Sequence, residues 1–211
     1  VNTLDLVQGS EEWRLARCGS LGSSQIHEAL AKTKSGAWGA GRANTLAALV
    51  CERLTGVPEE GYVSAAMAWG TETEAQARTF YELIEGVAVA QVGLVKHPRI
   101  DGTHACPDGL VGDDGAVEIK CPNSATHIET IRGAKIPAKY ATQIQWHLAC
   151  TGRAWCDFIS FDPRMPEDLR MFVQRVPRDG AVIAEIEAAV VDFLAELEEA
   201  LADLQSRRLA A

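Results

Sequence analysis

From Ser10 onward the first part of the chain places apolar residues at helical spacing. "EEWRLAR" follows Ser10, so a capping hydroxyl and a first turn of acids mark a helix start. "SSQIHEALAK" begins a second short helix at Ser23, and "GRANTLAALVCERLTG" carries a third to Gly56. "SAAMAWGTETEAQARTFYELIEG" predicts a long fourth helix over roughly 64–85, ended by Gly86. Then the period changes. "VAVAQVGLVKHP" alternates and is rich in valine, which predicts a strand. "GTHACPDGLVG" and "GAVEIKCP" predict two more, joined at Asp113-Asp114-Gly115. Pro137 suits the first turn of a helix with the body "AKYATQIQWHLACTG", stopped by Gly152. "AWCDFISFDP" and "RMFVQRVPRD" predict the last strands, and Gly180 to Ser206 a long amphipathic helix with an acidic face. This order predicts a mixed β-sheet flanked by helices, α/β or α+β in class, in a single domain over 1–211.

The hairpin in the middle carries the candidate chemistry. If its strands pair through the Asp113–Gly115 turn, Asp108 returns beside Glu118. Alternation then points Glu118 and Lys120 to one face and Val117 and Ile119 to the other. Two carboxylates and an ammonium converge. Carboxylate oxygens are hard ligands suited to Mg²⁺, which keeps waters and accepts substrate phosphate as a further ligand. A metal-bound water has a lowered pKa, and a lysine beside it can orient or deprotonate it. The same spacing also fits a surface hairpin closed by a salt bridge between Lys120 and Glu118 or Asp108. Pro107 before Asp108, the apolar residues around Glu118 and the acidic helix upstream favour the catalytic reading, because paired buried carboxylates are costly without a cation.

Composition narrows the class. Hydrophobic residues make up 47% and charged residues 23%, as in folded globular proteins rather than disordered or collagen-like chains. No apolar run approaches the roughly 20 residues of a membrane helix, and no basic-then-apolar leader pattern opens the sequence, so the expected location is the cytoplasm. The six cysteines (18, 51, 106, 121, 150 and 156) show no zinc or iron–sulfur spacing and read as reduced thiols. A net charge of −9 argues against a protein that coats nucleic acid, but not against an enzyme with its cations gathered on an inner face.

The Asp108, Glu118 and Lys120 set matches the PD-(D/E)xK nuclease signature, and a longer run of blocks sharpens the match. In order they are "QGSEEWRLARCGSLGSSQIHEAL", "ALVCERLTGV", "AMAWGTETEAQARTFYE", "CPDGLVGDDGAVEIKCP", "AKYATQIQWHLACTGRAW" and "FDPRM". The chain resembles the lambda exonuclease family of phage recombination nucleases, which is grouped with the YqaJ-type viral recombinases. The resemblance implies a restriction-endonuclease-like α/β core. It also implies a Mg²⁺-dependent exonuclease, with Mn²⁺ as a substitute, that degrades the 5′-ended strand of linear duplex DNA processively. The products would be 5′-mononucleotides and a 3′ single-stranded tail. Carried over residue by residue, Asp108 and Glu118 are the metal carboxylates and the carbonyl of Ile119 an additional ligand. Lys120 helps activate the water, Glu74 is an upstream helical acid, and Gln143 supports the site. Arg17 and Ser24 bind the 5′-phosphate of the DNA end, where a guanidinium fork fits phosphate oxygens.

Cys106 departs from this pattern by standing where the best-known member of the family has a serine that donates to the phosphate, and a thiol is a weaker donor. An arginine of the pattern aligns near Thr126, where Arg132 or Lys135 would have to compensate, and Lys34 holds the place of a basic DNA contact. His104 reads as structural, and His147 as either a hydrogen-bonded helix histidine or a DNA contact. The family also implies a ring of three subunits, a single-strand annealing protein as partner, and a phage or prophage gene expressed in a bacterial cytoplasm. A DNA endonuclease of the same superfamily, or a non-catalytic DNA-end-binding protein, are the alternatives.

Overall fold

A computed structural model describes residues 2–59 and 64–210. In chain order it contains β1 (Asn2–Leu4), α1 (Glu11–Arg17), β2 (Leu21–Gly22), α2 (Ser23–Leu30), α3 (Ala40–Thr55) and α4 (Ala65–Glu85). There follow β3 (Val89–Ala90), β4 (Leu94–Lys96), β5 (Thr103–Ala105), β6 (Gly109–Val111), β7 (Gly115–Lys120), α5 (Ser124–Gly133) and α6 (Ala138–Thr151). The chain closes with β8 (Trp155–Phe161), a 3₁₀ turn at Glu167–Leu169, β9 (Met171–Pro177) and α7 (Gly180–Ala210). The expected helices form, and Ser10 caps α1 by accepting from the Trp13 N–H. Pro137 stands at the N-cap of α6 rather than inside its first turn.

The strands build two sheets, one more than the sequence predicts. The larger has the order β3-β6-β7-β8-β9, parallel only between β7 and β8, and the smaller the order β1-β4-β5-β2. Two segments read as single strands in fact cross between the sheets. "VAVAQVGLVKHP" breaks between β3 and β4, and "GTHACPDGLVG" breaks between β5 and β6. Each break has a local cause. At Gly93 a Cβ would lie 2.1 Å from the Leu6 carbonyl oxygen, so only glycine admits this approach of two backbones. At Pro107 the ring removes the N–H that a continuous ladder would need. Gln8 ties the crossings together, its side-chain amide donating to the Val92 carbonyl at 2.9 Å and the Pro107 carbonyl at 3.2 Å.

The larger sheet is covered on both faces, which explains the near-continuous burial along β7 and β8. Ala116, Cys156 and Phe158 join a core with residues of α2, α3, α6 and α7, among them Ile26, Leu49, Trp146 and Phe193. Val117, Ile119, Ile159 and Phe161 face the opposite way, onto Ala77 and Tyr81 of α4. The result is a mixed sheet between helices, of the restriction-endonuclease-like α/β class. No helix among the described residues is long and apolar enough to cross a membrane.

Candidate active site

The hairpin pairs Gly109 with Val117 and Val111 with Gly115, leaving Gly112 at φ +51° in the turn. The Asp108 N–H extends the ladder by donating to the Val117 carbonyl at 3.2 Å, which sets Asp108 beside Glu118 as the alternation predicts. Asp108 is further fixed by the Ile119 N–H, which donates to its Oδ2 at 2.6 Å. Position is thus imposed by the crossing at Pro107 and by the strand beside it. Glu118, in the middle of β7, has no exposure to solvent. Its Oε1 is in ion-pair contact with Lys120 Nζ, and its Oε2 lies 3.3 Å from His147 Nδ1. Lys120 thus compensates Glu118 through Oε1, whereas Oε2 and His147 Nδ1 face each other, buried and outside hydrogen-bond geometry.

That arrangement is electrostatically uncomfortable for the protein alone. Burial raises the Asp108 carboxyl, and repulsion from Glu118 adds to it, to about 7. Burial also raises Glu118, against the opposing charge and hydrogen bond of Lys120, and Glu74 adds a smaller push upward. Glu74, on α4, is itself raised by burial and then by Asp108, although Arg78 one turn along pairs with it at 2.6 Å. Burial opposes the charge on Lys120, but Glu118 and Asp108 together outweigh it and hold the ammonium protonated. Three carboxyls therefore press on one another around a single lysine. Of these, Asp108, Glu118, Lys120 and Glu74 are brought together as the sequence reading expects. Gln143 is half-buried on α6, one turn before His147, and no hydrogen bond joins it to these carboxylates among the described residues.

The donor set suits a hard divalent cation. Glu118 offers a fully buried carboxylate, contacted by Lys120 at one oxygen, and Asp108 a second carboxylate beside it. Among the described residues no group of three or more His, Cys, Asp or Glu side chains gathers into a protein cage for a metal. Mg²⁺ does not need one, since it is held by one or two carboxylates and completes its shell with water and phosphate. The thiols add nothing, because burial pushes Cys106 up to about 11 and Cys121 to about 12.

A second group of residues lies at the smaller sheet. Arg17, at the end of α1, donates from Nε to His104 Nε2 at 3.2 Å and stacks on Trp13, 4.1 Å from the ring centroid. His104 thereby accepts at Nε2, so its Nδ1 carries the proton towards Ser20 Oγ, 2.8 Å away. Burial, then the charge of Arg17, lowers His104 to about 3, in keeping with that neutral tautomer. Trp13 donates from its indole to the Gly93 carbonyl at 2.7 Å, which anchors α1 to the first sheet crossing. Cys106 is half-buried within the field of Arg17. Ser24 is exposed in the first turn of α2, whereas its neighbour Ser23 is buried. Lys34, Arg132 and Lys135 are exposed. His147 is fully buried, which removes DNA contact from its two readings. Burial, then Lys120, lowers it to about 3.

The model of the YqaJ-like viral recombinase domain matches residues 12–154, which span α1 to the end of α6 and so contain both groups. The chain belongs to that family. Within the YqaJ-like fold it is similar to the crystal structure of an alkaline exonuclease, LHK-Exo, from Laribacter hongkongensis. The identity is 47% and the TM-score 0.89, covering 95% of this chain and 99% of that one. The structure of LHK-Exo in complex with dAMP matches with the same identity, coverage and TM-score. A phage-related exonuclease from Haemophilus somnus 129PT shares the fold at 16% identity and TM-score 0.70, covering 88% of this chain and 96% of that one. A search among curated proteins found no match to the chain.

Proposed function

We propose that this YqaJ-like deoxyribonuclease works as an exonuclease on linear duplex DNA from a Mg²⁺ site at Asp108 and Glu118. The observation that carries this reading is Glu118, fully buried with a second carboxylate, Asp108, beside it and the Lys120 ammonium shared between the two. Two buried carboxylates that share one ammonium cost stability unless a further cation compensates them. The 47% identity to an alkaline exonuclease over nearly the whole chain supports the class of reaction.

In this reading Asp108, Glu118 and the Ile119 carbonyl hold Mg²⁺, for which Mn²⁺ substitutes. When bound, the ion supplies charge neutralisation at the scissile phosphate and a water of lowered pKa. Lys120, kept protonated by its two acids, orients the attacking water and stabilises charge developing on the phosphate. Glu74 borders the same space from α4, and Gln143 supports it from α6. Arg17, with Ser24 and Cys106, receives the 5′-phosphate, the guanidinium being braced by His104 and Trp13.

Degradation runs 5′ to 3′ and processively, releasing 5′-mononucleotides and leaving a 3′ tail for a single-strand annealing protein. Residues 1–211 act as one nuclease domain, three copies form a ring around the DNA, and the setting is recombination of phage type in a bacterial cytoplasm. The test is acid-soluble nucleotide release from linear and closed circular duplex DNA with Mg²⁺ or a chelator, for wild type and Lys120→Ala. Release from linear DNA alone, dependent on Mg²⁺ and lost in the variant, is the expected result. Cutting of circles would replace the exonuclease by an endonuclease. DNA binding without any release would leave an end-binding protein.

A further inference from the structure

The contacts behind Glu118 lead away from the hairpin. Its Oε2 faces His147 Nδ1 at 3.3 Å, and the far side of the same ring, Nε2, is 2.9 Å from Ser23 Oγ. All three side chains are buried, Glu118 and His147 completely and Ser23 to 4% exposure. A carboxylate can only accept, so the Nδ1 facing it must carry the proton, and Nε2 then accepts from the Ser23 hydroxyl. Ser23 opens α2, and the preceding Gly22 pairs with His104 of β5, the residue that braces Arg17. A continuous buried path thus joins β7, α6, the start of α2 and β5.

We infer that His147, oriented by Ser23, is a positioning residue that holds the Glu118 carboxylate for the divalent cation. The inference rests on the metal-site reading above and adds residues that neither the family match nor the sequence pattern assigns. Its physical basis is the pairing of unmet groups. Glu118 Oε2 and His147 Nδ1 are each buried without a hydrogen bond, and they face each other. A bond between them completes both, and it leaves Oε1, with its Lys120 contact, toward the rest of the site. The histidine of such a carboxylate pair restricts where the oxygens can go, which is how residues beyond the ligands tune a metal site. Ser23 fixes the ring by claiming the opposite nitrogen. Sequence alone gives no sign of this, because "QWHLACT" is buried all round and its histidine has no exposed face to mark it.

The test measures Mg²⁺ binding to DNA-free protein by calorimetry, alongside nucleotide release as a function of Mg²⁺ concentration and thermal unfolding. The proteins are wild type, Ser23→Ala, His147→Ala and His147→Asn, the last keeping a side-chain donor near the Nδ1 position. Expected for His147→Ala is Mg²⁺ binding about 10 to 100-fold weaker, with kcat at saturating Mg²⁺ much less affected. His147→Asn should recover part of that loss, and Ser23→Ala, which removes one oxygen and little packing, should show a smaller loss of the same kind. If His147→Ala fails to fold, Ser23→Ala and His147→Asn carry the decision. Unchanged Mg²⁺ affinity in the folded variants, with or without lower thermal stability, would overturn the inference. A wild type that neither binds Mg²⁺ nor releases nucleotides would overturn the metal-site reading and the inference with it. Normal behaviour of the wild type beside unaffected variants would overturn the inference alone.

Discussion

Adjacent strands of the larger sheet each bury a carboxylate, and the two are treated oppositely. Asp157 on β8 is 2% exposed and fully engaged: Tyr81 donates from Oη at 2.7 Å, and Arg175 closes a two-pronged bond at 2.8 Å to each oxygen. Glu118 on β7, one residue out of register with it, is just as buried, but its one ion-pair partner, Lys120, is shared with Asp108, and its second oxygen faces His147 outside hydrogen-bond geometry. Asp157 points toward α4 and holds the sheet to that helix through Tyr81, while Glu118 meets His147 of α6. Burial of an acid therefore says little about its role. What separates the two is how far the fold satisfies the acid: Asp157 receives three hydrogen bonds from Tyr81 and Arg175, whereas Glu118 shares one ammonium with a second carboxylate.

Neutralising the two acids in turn should separate them most widely. Glu118→Gln should cost nuclease activity about 10³-fold, since losing several kcal/mol of metal-dependent stabilisation is tenfold per 1.36 kcal/mol, while its melting temperature stays level or rises. Asp157→Ala should do the reverse, lowering stability by about 2–3 kcal/mol because Tyr81 and Arg175 lose their acceptor, with Mg²⁺ affinity intact. Parallel denaturant melts and rate assays would check both.

A smaller effect appears with pH. The folded Asp108 carboxyl is raised from an ordinary 3.8 to about 7, so its protonated form favours the fold. That contribution is complete below 3.8 and is lost as pH rises through about 7. Protons and Mg²⁺ then compete for one carboxylate, and Mg²⁺ affinity should climb with pH, by about tenfold per unit below 7, and level off above it. A flat calorimetric profile would mean that Asp108 is not a ligand. Smallest is Arg17→Ala, which should reduce the preference for 5′-phosphate over 5′-hydroxyl ends by about tenfold, the worth of a charged hydrogen bond, without touching Mg²⁺ binding. Comparing rates on the two ends measures it.

The legible part of this site is the part that local rules control. Alternation along "GAVEIK" and the turn at Asp113–Gly115 fix the register, so Asp108 beside Glu118 and Lys120 follows from the sequence. The crossings at Gly93 and Pro107 do not, because a glycine or proline in an alternating run fits an edge, a bulge or a change of sheet equally well. Glu74 and Arg78 are four apart on a helix, a spacing that could have revealed the pair. Ser23 and His147 meet only through tertiary packing, 124 residues apart, and no local pattern encodes that.

The most direct measurement is a calorimetric Mg²⁺ titration of wild type and Glu118→Gln, paired with their melting temperatures. Mg²⁺ should bind the wild type and be lost or much weakened in a variant that melts at the same temperature or higher. Equal Mg²⁺ binding in both, or a variant that simply unfolds earlier like Asp157→Ala, would show that Glu118 is another structural acid.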